Sequence, residues 1–213
     1  MAHLPTDNSD VPIRLFKSDF MEFFTHISPI AVVILWVPVM IYAMVSEIVA
    51  GRGMHSSYWY LPAGFVVGAF LWTFSEYTLH RFLFHYQPKT PQAERIFFLF
   101  HGVHHAQPQC KTRLVMPPVV SIPMSLVMYG LLYLLFAVIL GLPSWVGPVL
   151  SGFIAGYLFY DLTHYATHHF AMRHGIWKYL KRYHMQHHYK TPNARYGVSS
   201  PLWDVVFHTK PQT

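Results

Sequence analysis

The sequence predicts an all-α protein, in which an integral membrane four-helix bundle carries a helical cap on its cytoplasmic side. Three observations lead to this prediction. The chain is 53% hydrophobic and only 11% charged, whereas an ordinary soluble domain is roughly 25% charged. Four apolar stretches have lengths near the roughly 20 residues that a helix needs to cross a bilayer. Ten of the 16 histidines occur in clusters with helical spacing, and these clusters lie at or after the ends of apolar stretches.

The apolar stretches are expected to remain as spans in the mature protein. The segment before the first stretch, residues 1–28, contains four acidic residues that offset Arg14 and Lys17. A cleaved signal peptide instead has a basic segment before its apolar core. We therefore expect a single membrane-embedded domain, residues 1–213, with residues 1–28 as an N-terminal tail. The four predicted spans cover residues of about 30–50, 61–83, 119–140 and 145–162.

The basic residues predict the orientation of the spans. With the N-terminus in the cytoplasm, the loops at residues 51–60 and 141–144 lie on the opposite side, and of the fifteen Lys and Arg residues only Arg52 lies with them. This asymmetry is typical of membrane proteins, whose cytoplasmic loops carry an excess of Lys and Arg. The net charge of +6 then faces anionic headgroups, and no basic stripe indicates nucleic acid. The lone Cys110 excludes an internal disulfide.

The histidine clusters have the spacing of side chains on one face of a helix. His-x-x-His-His occurs twice, and residues at i, i+3 and i+4 share a helix face. A third cluster is an i, i+4 pair. The remaining pair is five residues apart, or about 140° around an ideal helix, so one member must lie where the helix loosens or ends. The clusters are His80 and His85; His101, His104 and His105; His164 and His168; and His184, His187 and His188.

These ten histidines indicate a dinuclear metal site, because imidazole is a common metal ligand. A structural zinc ion takes four protein ligands and a hydrolytic zinc ion takes three plus water, so ten ligands are too many for either. They divide naturally between two ions with about five ligands each, which leaves a position for water or dioxygen. Imidazole suits zinc, copper, iron and nickel alike, so the ligands alone do not identify the metal. An even number of spans separates the first two clusters from the last two, which places all four on the cytoplasmic side.

Two carboxylates close to the clusters are candidates for orienting the ligands. Glu76 lies one turn before His80, and Asp161 lies one turn before His164. Both are inside or at the edge of apolar spans, where an unpaired carboxylate is costly. They are expected either to accept the second ring N–H of a ligand histidine or to make hydrogen bonds at the helix end.

The other histidines are expected to lie outside the metal site. An isolated histidine is more often a surface residue or a polar residue with ordinary hydrogen bonds. His169 adjoins His168 but is five residues from His164, and we place it outside the ligand set as well. The isolated histidines are His3, His26, His55, His174 and His208.

Outside the spans, two helices are expected to form the cap. Residues 93–105 carry the second histidine cluster, and residues 174–189 carry the fourth. The latter segment has residues suited to the headgroup layer. The run of residues 197–210 is ambiguous between a short helix and a loop that folds back toward the metal site. The basic and aromatic residues of the 174–189 segment are Lys178, Lys181 and Arg182, with Trp177 and Tyr179.

The motifs resemble those of the fatty acid hydroxylase/sterol desaturase superfamily of membrane non-haem di-iron enzymes, and they are most similar to those of the fatty acid 2-hydroxylases. The resemblance covers roughly residues 61–209 and is highly specific for the superfamily, but less specific for the substrate. The matching motifs are His80-Arg-Phe-Leu-Phe-His85, His101-Gly-Val-His-His105, Tyr160-Asp-Leu-Thr-His-Tyr-Ala-Thr-His-His169, Tyr183-His-Met-Gln-His-His-Tyr-Lys190, Tyr196-Gly-Val-Ser-Ser200 and Trp203-Asp204.

This resemblance implies that the ten histidines bind two iron ions, with His168 rather than His169 as a ligand, and that no other residue is catalytic. Zinc can replace iron in purified material, but zinc has no redox chemistry. The expected reaction is hydroxylation of C2 of a fatty acyl chain, free or in a sphingolipid-like lipid, with O2 and external electrons. Eukaryotic relatives carry a fused cytochrome b5 domain, and residues 1–28 are too short for one. A separate donor is therefore expected: a cytochrome b5-like protein, a ferredoxin or a reductase.

Several alternatives remain open at this point. Carotenoid hydroxylases and sterol hydroxylases or oxidases of the same superfamily share the histidine motifs. A metal-dependent hydrolase or a metal transporter would belong to a different class. Ten ligands leave little room for the protein base of a hydrolase, and no ladder of polar residues runs through the spans as a transporter requires. The expected location is a bacterial inner membrane or the endoplasmic reticulum, with the active site on the cytoplasmic side.

Overall fold

A computed structural model of the chain describes residues 6–49 and 58–211, and all regular secondary structure in these residues is helical. The expectations for His3, Arg52 and His55 fall outside the described residues. Short π-helical segments, at Leu79–Phe84, Phe98–Gly102 and Leu134–Ile139, and one 3₁₀ turn, at Pro143–Trp145, adjoin the α-helices. The α-helices are α1 (Asp19–Phe23), α2 (Pro29–Val49), α3 (Tyr60–Thr78), α4 (Pro91–Phe97), α5 (Val103–Ala106), α6 (Pro118–Tyr133), α7 (Val146–His169), α8 (Gly175–Tyr189) and α9 (Leu202–Val206).

The chain forms two compact units, each assembled from separate segments. Of the described residues, the apolar unit contains 29–49, 58–72 and 116–159. The histidine unit contains 6–28, 73–115 and 160–211. The segment that we expected to be an N-terminal tail is therefore part of the histidine unit. The residues of α3 and of α7 are divided between the two units.

Two helices of the apolar unit are long and apolar enough to cross a membrane: Pro29–Val49, and the helix at Pro118–Ile139 that continues from α6 through the π-helical segment. Only 22% and 11% of their most apolar windows are buried inside the protein. The core helix of a soluble protein would instead be mostly buried, so this exposed apolar surface is consistent with a membrane protein. The other two predicted spans coincide with helices, α3 with its π-helical extension and α7, and their crossing of a membrane stays a prediction.

Within the apolar unit, α3 and α7 approach each other at glycines. A Cβ atom on Gly68 would lie 1.9 Å from the carbonyl oxygen of Val149, and one on Gly152 would lie 1.9 Å from that of Phe65. Each helix repeats glycine after four residues, since Gly64 precedes Gly68 and Gly156 follows Gly152. Small residues at this spacing let helix backbones pack closely.

In the histidine unit, the N-terminal segment packs against the loop that follows α5. The buried Gln107 side chain accepts a hydrogen bond from the amide of Ile13 and donates to Asp7 and to the carbonyl of Val11. Arg113, whose side chain is 4% exposed, pairs with Glu22. These contacts join parts of the sequence about a hundred residues apart and fix the loop after α5.

The segments expected to form the cap are helical. Residues 91–106 form a continuous helical run through α4, a π-helical segment and α5, and the 174–189 segment forms α8 with His174 as its N-cap. The ambiguous run 197–210 contains both predicted alternatives, because α9 is a short helix and the residues before it form a loop. The placement of these helices relative to a membrane stays a prediction.

The close approach of α3 and α7 at their glycines predicts that adding one methyl group there lowers the stability of the protein. Gly152→Ala should destabilise the protein by about 1–3 kcal/mol, the usual cost of overpacking, because the new methyl group meets a backbone oxygen. Gly130→Ala is the matched control: nothing lies within 4 Å of its Cβ position, and alanine favours a helix over glycine by about 1 kcal/mol. Thermal unfolding in detergent measures both. Equal effects of the two substitutions would contradict the close approach of α3 and α7.

Candidate metal centre

His80 and His85 are brought to one side of the chain by a π-helical turn. The amide of His85 donates to the carbonyl of His80 at 3.0 Å, the i to i+5 hydrogen bond of a π-helix. The segment Leu79–Phe84 ends immediately before His85. The prediction that the helix loosens or ends between these two histidines is confirmed, and both events occur.

The second cluster lies at the junction of a π-helical segment and α5. His101 belongs to the segment Phe98–Gly102, whereas His104 and His105 belong to α5. α7 presents His164 and His168 one turn apart. On α8, the buried side holds all three histidines of the fourth cluster together with Leu180 and Tyr183.

The fold gathers the ten clustered histidines into two groups of five. In each group the candidate ligand nitrogens all lie within 4.8 Å of one another. The His105 ring of the first group stacks on the His188 ring of the second at 4.2 Å, so the groups are adjacent. Group 1 is His80, His85, His101, His105 and His187; group 2 is His104, His164, His168, His184 and His188.

Each of the two His-x-x-His-His motifs contributes histidines to both groups. From the first motif, His101 and His105 join group 1 and the middle residue, His104, joins group 2. From the second motif, His184 and His188 join group 2 and His187 joins group 1. Each group therefore contains an i, i+4 pair from one motif, the middle histidine of the other motif, and one of the two remaining pairs.

The ring geometry fits two metal ions. Neighbouring Nε2 atoms are 3.0–3.2 Å apart in group 1 and 2.9–3.0 Å apart in group 2. Two nitrogens bound at about 2.0–2.1 Å to one ion lie about 2.9–3.0 Å apart at a right angle and about 3.4 Å apart at a tetrahedral angle. The observed spacing is therefore that of nitrogens that could bind one ion in each group.

The protonation state of these rings suits metal binding. Burial holds the pKa of His184 and of His187 well below the usual range, and the neighbouring histidines add to this effect. Their imidazoles are therefore neutral and each has a nitrogen lone pair. Converging lone pairs repel one another unless a cation lies between them, and a metal ion at the centre of each group would remove that repulsion.

Backbone carbonyls orient two of the rings of group 1. His80 donates its Nδ1–H to the carbonyl of Tyr196, and His187 donates to that of Ala194 at 2.7 Å. Each bond fixes the tautomer that leaves Nε2 free to bind a metal. The Nδ1 atoms of His85, His104, His168 and His184 are buried without a hydrogen-bond partner among the described residues.

Two buried carboxylates hold the loop that carries the Tyr196 carbonyl. Asp204 accepts hydrogen bonds from the amides of Tyr196 and Gly197 at 2.9 and 2.7 Å and from the Thr209 hydroxyl at 2.7 Å. Glu76 accepts from the amides of Val198 and Ser199 at 2.6 and 2.8 Å, and from the Ser199 hydroxyl. These bonds fix four consecutive residues, 196–199, beside His80.

The structure changes one expectation about the carboxylates. The second ring N–H of His80 points to Tyr196 rather than to Glu76 one turn away, because the 196–199 loop occupies the Glu76 carboxylate. The ring of His164, one turn after Asp161, hydrogen-bonds to the backbone of Leu114. Asp161 itself is 1% exposed, and its orienting role stays a prediction.

The remaining histidines of the described chain lie outside both groups. His169 adjoins His168 but its Nε2 atom has no hydrogen-bond partner. His26 contacts Thr112 and Arg113, and His174 and His208 are exposed.

Sequence reasoning gave Asp204 no role in the site. A signal was available, because Asp204 is the only acidic residue in positions 162–213. The carbonyls of Tyr196 and Ala194 have no such signal, since every residue has a carbonyl group.

The loop contacts predict the effect of Asp204→Asn. An amide in place of the carboxylate directs an NH2 group at backbone donors, so the variant should lose about 1–3 kcal/mol of stability. Asp19→Asn is the control, because the Asp19 side chain is 91% exposed and pairs only at the surface with Arg14. Denaturant unfolding in detergent measures both variants, and an Asp204→Asn protein as stable as the control would contradict the role of the loop.

The chain is similar to known proteins of one family. The sequence profile of the fatty acid hydroxylase family matches residues 65–209. A dihydroceramide fatty acyl 2-hydroxylase of Arabidopsis thaliana is 40% identical over 93% of this chain and 80% of its own length. The fatty acid 2-hydroxylase of Homo sapiens is 38% identical over 93% of this chain and 56% of its own length.

Among solved structures, the chain is similar to one described as full-length scs7p with only its hydroxylase domain visible. The two share 34% sequence identity and a TM-score of 0.81, over 91% of this chain and 70% of the other. The profile match and the Arabidopsis relative together identify the group to which the protein belongs. This chain is a member of the fatty acid hydroxylase family.

Proposed function

We propose that this protein is a membrane di-iron monooxygenase that hydroxylates C2 of a fatty acyl chain. The observation that carries the proposal is the pair of adjacent five-histidine groups in a chain that is similar to fatty acid 2-hydroxylases. The reaction consumes O2 and two electrons: R–H + O2 + 2 H⁺ + 2 e⁻ gives R–OH + H2O. A C–H bond is replaced by a C–O bond, and the second oxygen atom leaves as water.

The ten histidines are assigned as the ligands of two iron ions, one in each group. Iron, when bound, supplies the redox chemistry that O2 activation requires. Zinc would fit the same nitrogens but has no redox chemistry, so zinc in a purified sample would stand in for iron. We assign no other residue a catalytic role.

The protein's own contribution is to hold and orient the ligands and to exclude water from them. Nine of the ten histidines are buried, and His105 is the partly exposed member. The Tyr196 and Ala194 carbonyls keep the Nδ1 protons of His80 and His187 in place, so that both rings keep their Nε2 lone pairs toward the centre of group 1. Burial keeps the rings neutral.

The substrate is a fatty acyl chain of a ceramide-like lipid. Relatives from plants and fungi are named as dihydroceramide and ceramide fatty acid hydroxylases, which favours an acyl lipid over a carotenoid or a sterol. The exposed apolar helices suit a protein whose substrate dissolves in the bilayer. We also propose that the four predicted spans cross the membrane and that the metal centre lies on the cytoplasmic side. Electrons come from a separate donor.

The proposal predicts an oxygen-dependent lipid product. Cells that express the protein should accumulate 2-hydroxy acyl lipids, and growth under ¹⁸O2 should add one ¹⁸O atom to C2, measured by lipid mass spectrometry. A His104→Ala, His187→Ala double variant, which removes one ligand from each group, should lower the product at least about a hundredfold, because both metal sites are damaged.

His168→Ala and His169→Ala are a matched pair for this experiment, since the two histidines are adjacent on α7 and only His168 belongs to a group. His168→Ala should lose most of the product and His169→Ala should keep it. A changed carotenoid or sterol with unchanged acyl lipids would contradict the substrate. A product without ¹⁸O would contradict the monooxygenase reaction.

A further inference from the structure

We propose that the outer face of α8, formed by Lys178, Tyr179 and Arg182, is the docking surface for an acidic one-electron carrier protein. The inference rests on the proposed function, because each hydroxylation consumes two external electrons. Two reduced carriers bind in turn, each gives up one electron and each leaves oxidised. The two electrons and two protons balance the oxygen atom that leaves as water.

The first support is the charge of this face. Lys178 and Arg182 are exposed and one helical turn apart, and the exposed Arg173 and Lys190 flank the helix. The only acidic residue in positions 162–213 is Asp204, which is 0% exposed. Lys181 differs from its neighbours, because its amine donates to the carbonyls of Thr167 and Phe170. The face therefore offers positive charge with no surface carboxylate from the same segment, which attracts an acidic partner.

The second support is the short path from this face to both histidine groups. α8 supplies His184 and His188 to group 2 and His187 to group 1. A carrier bound to the opposite side of the helix is separated from these histidines by about one helix diameter, or about 10–12 Å with side chains. A carrier that binds to α8 is thus close to both histidine groups.

The aromatic residues of α8 continue this path. Tyr179 is 38% exposed and stacks on the buried Tyr183, with ring centroids 5.8 Å apart. Tyr183 directly precedes His184 in the sequence. The exposed Trp177 lies beside Lys178. Trp, Tyr and Arg are the residue types enriched at the centres of protein interfaces. Both the composition and the charge of the face therefore suit a protein partner.

Charge reversal tests the docking surface. The variant Lys178→Glu, Arg182→Glu is compared with Lys89→Glu, Arg95→Glu, which makes the same change in charge at exposed positions in and before α4. The probe is the soluble haem domain of a cytochrome b5, an acidic one-electron carrier. Its binding to each purified protein in detergent is measured by titration calorimetry at low and high salt.

The α8 reversal should weaken binding about tenfold or more at low salt and remove most of the salt dependence, whereas the α4 reversal should change binding less than about twofold. In turnover with the same carrier, the α8 reversal should raise the KM for the carrier and leave kcat at saturating carrier unchanged. A merely structural defect would instead lower kcat and the unfolding temperature.

Equal weakening by the two reversals, or no weakening by either, would overturn the docking surface. An α8 reversal that binds the carrier normally but no longer binds phosphatidylserine vesicles would also overturn it, and would assign the face to lipid headgroups. If the parent protein forms no hydroxylated lipid with a reduced carrier, the proposed function fails. The binding comparison still decides the docking surface in that case, because it needs no turnover.

Discussion

The convergence of ten imidazole rings is the constraint on which the rest of the structure depends. Five Nε2 atoms must point to each of two neighbouring centres, and no single helix can supply five. The two His-x-x-His-His motifs solve this by sharing, because each gives an i, i+4 pair to one group and its middle histidine to the other. A π-helical turn brings His80 and His85 together at a spacing that an ideal α-helix would separate. The π-helical segments Leu79–Phe84 and Phe98–Gly102 thus carry or adjoin histidines of the two groups.

A second set of residues keeps these rings in place, and most of it lies far from them in sequence. The loop at residues 196–199 is held by Asp204 on one side and by Glu76 on the other. The loop in turn presents the Tyr196 carbonyl to His80. The hydrogen bonds that each carboxylate accepts compensate for the solvation that it loses on burial. The hydrogen bonds that offset the burial of Glu76 and Asp204 are thus the same bonds that hold the loop in place.

The sequence predicted the members of the candidate site but not their arrangement. The ten histidines and the irregular helix at His80 followed from spacing, and the segments 93–105 and 174–189 were expected to be helical. The division of the His-x-x-His-His motifs did not, because helical periodicity places all three residues on one face and says nothing about which neighbours they meet. The partner of Glu76 was missed for a related reason: His80 is its neighbour along the helix, but the fold brings Val198 and Ser199 to it. Apolar composition predicted four spans, and two described helices are long and apolar enough to cross a membrane. The other two predicted spans coincide with α3 and α7, which carry Glu76 and Asp161 next to the histidines.

The most direct test of this account is X-ray diffraction from crystals of the iron-loaded protein at the iron absorption edge. The account predicts two anomalous peaks per chain, one among the Nε2 atoms of His80, His85, His101, His105 and His187, and the other among those of His104, His164, His168, His184 and His188. A single peak shared by the groups, or iron bound at other residues, would contradict the assignment of ten histidines to two ions.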